Sequence, residues 1–168
     1  MSISLLLEMA SSADPDRTAV VSDDIRLTTD ELSALADGGA GVIAASGAQH
    51  VAYVGTGGAM LPLLLFASAR AAVPVTPLNY RLSPDGLRAL LDRLPDPLVV
   101  VDDEYRDAVG DGYRVLGSAA FIEQARTLGS KWRSHSSRYS RVAVDAIAWA
   151  SSASLRAVAG SSFRWPRG

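Results

Sequence analysis

Pro97-Leu98-Val99-Val100-Val101-Asp102-Asp103-Glu104 is the stretch on which the fold turns. Its first five residues carry no charge and three of them are Val, the composition of a strand buried on both faces, as in parallel sheets covered by helices. Upstream, Ser83-Pro84-Asp85 sets a capping hydroxyl before a proline at the first helical position, and Leu87, Leu90, Leu91 and Leu94 follow on the inward face of that helix. Residues 74–77 read as a brief strand. Residues 59–72 form a helix apolar on nearly every side, which predicts burial between other elements. Residues 50–54 are a strand joined to that helix by the tight turn Gly55-Thr56-Gly57-Gly58. Strand, helix, strand, helix, strand is solved most simply by a mostly parallel sheet with flanking helices and right-handed crossovers, an α/β fold. Downstream, residues 114–116 add a short strand and residues 118–128 a last helix.

The N-terminal part prepares this unit. Residues 2–10 put Ile3, Leu6 and Leu7 on one helical face, and Ala13-Asp14-Pro15-Asp16 supplies the turn that ends the helix. Residues 18–22 and 25–27 read as two strands of a hairpin with Asp23 and Asp24 at the turn. Thr28 followed by Glu31 fits a capping box, so a helix is expected over 29–45, with Gly47 past its end.

Composition narrows the function classes. With 48% hydrophobic and 20% charged residues, the 168-residue chain can bury a core and is not disordered throughout. A net charge of −2 gives no field that would draw nucleic acid or an anionic membrane, so neither partner is expected. The lack of Cys removes disulfides, thiolate zinc sites and a Cys nucleophile. Residues 3–7 are too short an apolar run for a secretory signal and lack a basic flank. The uncharged stretch 51–69 is about long enough to cross a bilayer, but Gly55, Thr56, Gly57, Gly58 and Pro62 divide it, so no membrane span and a cytoplasmic location are expected.

The chain changes character near Ser130. Its first 130 residues carry a formal charge of −8 and the rest +6, and all three Trp, the one Lys and nine Ser lie in that remainder. Two parts are therefore expected: a sheet domain over 1–128 and an irregular, basic, Ser-, Arg- and Trp-rich tail over 129–168. The tail reads as a disordered or proteolysed extension, since Lys131-Trp132-Arg133-Ser134-His135-Ser136-Ser137-Arg138 has no periodicity that would specify an element. Its bias is what a GC-rich coding sequence read out of frame would produce, a frame-shifted extension. Resequencing decides that point: an intact phosphate loop should appear after a one-base correction.

An ordered series of segments carries a resemblance. It comprises Asp14-Pro15-Asp16-Arg17-Thr18-Ala19-Val20, then Leu27-Thr28-Thr29-Asp30-Glu31-Leu32, Leu63-Leu64-Leu65-Phe66-Ala67, and Ala71-Ala72-Val73-Pro74-Val75-Thr76-Pro77-Leu78-Asn79-Tyr80-Arg81. Together, over about residues 3–116, they resemble the opening of the AMP-dependent acyl-CoA synthetases and ligases of the adenylate-forming superfamily. The resemblance implies a partial N-terminal subdomain of that fold. It also implies ATP, magnesium and coenzyme A for the family's reaction, in which a carboxylic acid becomes an acyl-adenylate and then a thioester. The family's Ser/Thr/Gly-rich phosphate loop ending in Pro-Lys, its acidic magnesium residue, its ribose-binding Asp and its C-terminal Lys have no counterpart here, and Lys131 matches neither lysine. No catalytic residue, no metal site and no cofactor are therefore expected for this chain. The resemblance also implies a structural part for Asn79, Tyr80 and Arg81, positioning a loop.

Other candidates have plainer readings. Gly55, Thr56, Gly57 and Gly58 sit between a strand and a helix, where N–H groups can hold a phosphate, yet they lack both the Gly-x-Gly-x-x-Gly spacing and a Gly-Lys-Ser/Thr ending. Asp102, Asp103 and Glu104 lie at the C-terminal end of a strand, where a metal is conceivable, but three consecutive acids cannot face one point, so a solvated loop with Asp103 capping a helix toward Ala108 is expected. His50 has no nearby carboxylate or Ser in sequence and reads as structural, and Ser11 and Ser12 lack a nucleophile-elbow context. The leading expectation is an acyl-CoA synthetase part inactive alone. Two alternatives are an interaction module whose partner covers an exposed apolar face and a small nucleotide-binding α/β protein using residues 55–58.

Overall fold

Caps and turn residues set the element boundaries. The computed structural model describes residues 3–22 and 25–139. Helix α1 (Ile3–Ala13) runs three residues beyond its expected end, because Ser11, Ser12 and Ala13 do not break a helix; the chain turns only where Pro15 constrains Asp14. Of its three expected inward residues only Leu7 is buried, while Leu6 is 57% exposed. Strands β1 (Thr18–Ser22) and β2 (Ile25–Thr28) pair antiparallel, with Val20 opposite Leu27 and Ser22 opposite Ile25. Asp23 and Asp24, the expected turn, lie outside the described residues.

Thr28 starts α2 (Thr29–Ser46) with the expected capping box: its hydroxyl accepts the Glu31 N–H at 3.2 Å and its own N–H donates to the Glu31 carboxylate at 2.9 Å. Gly47 closes the helix at φ 69°, a left-handed position that suits glycine. Then follow β3 (His50–Val54), α3 (Met60–Ala71), β4 (Val75–Leu78), α4 (Pro84–Leu91) and β5 (Pro97–Val101). A 3-10 turn at Asp103–Tyr105, α5 (Arg106–Val109), β6 (Arg114–Gly117) and α6 (Ser118–Tyr139) complete the described chain. The Ser83 hydroxyl caps α4 through the Gly86 N–H at 3.2 Å, with Pro84 at the first turn.

The four strands β3 to β6 form one parallel sheet in the order β4-β3-β5-β6. Val51, Tyr53, Leu98 and Val100 face a core shared with α2, α3 and α6, while Ala52, Val54, Val99 and Val101 face Leu87 and Leu91 of α4 and Val109 of α5. The apolar run of β5 is thus buried on both faces, as its composition predicts. Helices α2 and α6 approach closely at Gly38, where an added Cβ would strike the Ala125 carbonyl, and at Gly129, where it would lie 2.6 Å from the Ala34 carbonyl oxygen.

Two elements depart from expectation. Helix α3 is not covered all round: Leu61 and Leu65 are 37% and 38% exposed, because a helix on the outside of a layered fold keeps a solvent face whatever its composition. Helix α6 continues past residue 128 to Tyr139, into the stretch read as irregular. No proline interrupts it, and elongating a formed helix is easier than nucleating one. The chain divides between residues 132 and 133, and beyond that point only the helical residues 133–139 are described.

Candidate functional site

Parallel strands aim their C-terminal ends at one edge of the sheet, and four segments meet there: Gly55 to Gly58 after β3, Asn79 to Arg81 after β4, Asp102 after β5 and Ser118 after β6. The chain passes from β3 outward to β4 and then crosses to β5 on the other side of β3. The crevice between the ends of β3 and β5 is therefore the topological switch point, the usual ligand position in an open α/β sheet.

Protein groups already occupy that crevice. The Asp102 carboxylate accepts the Thr56 N–H at 3.0 Å, the Tyr53 hydroxyl at 3.1 Å and the Ser118 hydroxyl at 2.5 Å. The Tyr53 oxygen in turn accepts the Gly57 N–H at 3.2 Å. Gly55 makes the approach possible, since a Cβ there would collide with the Asp102 carboxylate and the Tyr53 hydroxyl. Burial raises the Tyr53 phenol to about 12, with the Gly57 hydrogen bond opposing the rise and the Asp102 charge adding to it. A proton thus stays on Tyr53 for donation to Asp102.

The expected solvated acidic loop is corrected in part. Asp103 and Glu104 are exposed, but Asp102 is half-buried and engaged on three sides. Nor does Asp103 cap a helix: α5 begins only at Arg106, after the 3-10 turn, and Tyr105 is its first flanking residue. Among the described residues, no three His, Asp or Glu side chains converge where a metal could sit. Sequence reasoning missed Tyr53 and Ser118. The available signal was the phenol in an otherwise apolar buried strand, since a buried Tyr hydroxyl needs a partner.

The other candidates lie apart from the Asp102 contacts. Asn79 accepts the Arg81 N–H at 3.0 Å, Tyr80 packs on Tyr105 with ring centroids 4.9 Å apart, and the Arg81 guanidinium lies 5.5 Å from the Tyr80 ring centre. These contacts tie the loop after β4 to the turn after β5. His50 Nε2 lies 2.8 Å from the Thr76 hydroxyl across β3 and β4, and burial lowers its pKa below the ordinary 6.5. The Ser11 hydroxyl donates to Asp30 at 3.3 Å. A groove of about 510 Å³ beside β6 is lined by Arg106, Asp107, Asp111 and Tyr113, the first three exposed and the Tyr113 hydroxyl held by Asp92 at 2.5 Å. The structure of the basic tail beyond Tyr139, with Trp149 and Trp165, lies outside the described residues. Among those residues no helix is long and apolar enough to cross a membrane, and the stretch 51–69 is divided between β3 and α3.

No family model matches the chain. An indoleacetate–CoA ligase of Aromatoleum aromaticum is 31% identical over 121 residues, which is 66% of this chain and 24% of that protein. The chain therefore spans about a quarter of the length of this curated relative. A fatty acyl CoA synthetase of Mycobacterium tuberculosis superposes with a TM-score of 0.68 at 20% identity, over 76% of this chain and 28% of that one. The N-terminal subdomain of NpsA from Klebsiella oxytoca superposes with a TM-score of 0.62 at 21% identity, over 73% and 32%. At these identities the superpositions speak for the fold.

Proposed function

We propose, on the premise that this chain corresponds to the N-terminal part of an AMP-dependent acyl-CoA synthetase, that it is a sheet layer of such a ligase and performs no adenylation alone. The reaction demands donors or positive charge around the transferring phosphoryl group and the acid's carboxylate. The described residues do not fit ATP and magnesium. At the switch point the N–H groups of Thr56 and Gly57 are bonded within the protein, and the charge facing them is the carboxylate of Asp102. The whole sequence contains one lysine, Lys131, and no Pro-Lys pair. The observation that carries the reading is that carboxylate, which already holds the Thr56 N–H of the glycine-rich turn.

The test is to incubate the full chain with ATP, magnesium, coenzyme A and a panel of fatty and aryl acids that includes indoleacetate, and to measure pyrophosphate release. The expected result is no release above a protein-free blank. Reproducible, acid-dependent turnover would overturn the reading.

A second reading, an interaction module that docks on a partner, is favoured by exposed apolar side chains: Leu5, Leu6 and Met9 on α1, and Leu61 and Leu65 on α3. Unpaired apolar surface of this kind invites association. A monodisperse monomer that leaves an apolar dye dark counts against it.

A further inference from the structure

We propose that Asp102 is an internal latch: its carboxylate takes the position of an anionic ligand at the switch point of the sheet and holds the Gly55 to Gly58 turn closed to phosphate. Three segments converge on one side chain. The carboxylate receives the backbone of the turn through Thr56, the β3 side chain of Tyr53, and the first residue of α6 through Ser118, while its own N–H donates to the Val54 carbonyl at 3.0 Å. Tyr53 extends the hold by one residue, accepting from Gly57. A phosphate entering the turn would need these same two N–H groups, and would meet a carboxylate within hydrogen-bond reach of the first and a phenol oxygen on the second. Like charges at that separation repel in a half-buried setting more than in water. Gly55 fits the latch as directly as it fits a ligand site, because the atoms that leave no room for a Cβ belong to Asp102 and Tyr53.

The latch is a positioning device and makes a graded, local prediction. In amide hydrogen exchange followed by NMR on the full 168-residue chain, the Thr56 N–H should be protected in the wild type. It should exchange on the order of tenfold to a hundredfold faster in D102A, the loss expected for a hydrogen bond to a charged acceptor. D102N keeps an acceptor oxygen and the side-chain shape, so it should fall between the two; this variant also serves if D102A does not fold. Y53F should free Gly57 and leave Thr56 protected, a split that a general loss of stability would not produce. Inorganic phosphate titrated into the wild type should leave the Thr56 and Gly57 resonances in place. The latch is overturned if Thr56 exchanges equally fast in the wild type and D102N, or if phosphate shifts the two wild-type resonances saturably. It rests on geometry rather than on inactivity: a chain that forms acyl-adenylates while Thr56 stays protected would refute the preceding reading and leave the latch standing.

Discussion

Ser68 shows how a side chain's surroundings decide its effect. It lies on α3 at 1% exposure, and its hydroxyl has no hydrogen-bond partner among the described residues. A buried, unpaired hydroxyl costs free energy, and Ala is the better helix former, so both effects favour Ser68→Ala. The expected outcome is a gain of about 0.5–1 kcal/mol in urea unfolding; a loss of similar size would reveal a partner for that hydroxyl. Asp102 is the opposite case, a polar group fully engaged. Its role was not legible in sequence because its partners Tyr53 and Ser118 stand 49 and 16 positions away and come together only through the parallel register of β3, β5 and β6. What could be read locally was a run of three acids, and a run of acids reads as solvated.

At the scale of elements, the features legible in sequence were those written within a few residues of each other. The capping box at Thr28 and Glu31, the left-handed Gly47, the Ser83-Pro84 start of α4 and the apolar run of β5 all took their expected places. The close approach of α2 and α6 was not legible, because it depends on glycines 91 positions apart, Gly38 and Gly129. Gly38→Ala tests how tight it is. Ala improves helix propensity by about 1 kcal/mol, but its Cβ would meet the backbone carbonyl of Ala125, which cannot swing aside as a flexible side chain would. The clash should win, with a net loss on the order of 2 kcal/mol in chemical denaturation. An unchanged or raised midpoint would mean that the two helices part at no cost. The ion pair between Arg70 and Asp37, at 2.9 Å, ties α3 to α2 with the Arg side chain only 11% exposed, and Ser33 accepts from Nη1 through its carbonyl and from Nη2 through its hydroxyl.

For the whole molecule, the two ends of the pH scale act through different side chains, an imidazole on the acid side and phenols on the alkaline side. His50 has a folded pKa below 6.5, so the unfolded chain takes up its proton first. Its contribution to stability is complete above 6.5 and is lost as the pH falls below that value and through the folded pKa. On the alkaline side the phenols of Tyr53 and Tyr105 are pushed up to about 12, the former by burial first and the latter by its hydrogen bond to Glu104 first, and Tyr113 is raised by Asp92. With folded values above the ordinary 10.0, their contribution is complete below 10.0 and is lost as the pH rises through about 12. Stability measured by urea unfolding should therefore form a plateau between these limits. Comparison with His50→Gln isolates the acid edge, since carboxylates elsewhere act on both proteins alike: the wild type should lose more stability than the variant between about pH 7 and pH 5. Two parallel curves would show that the imidazole between β3 and β4 is as free to charge in the folded chain as in the unfolded one.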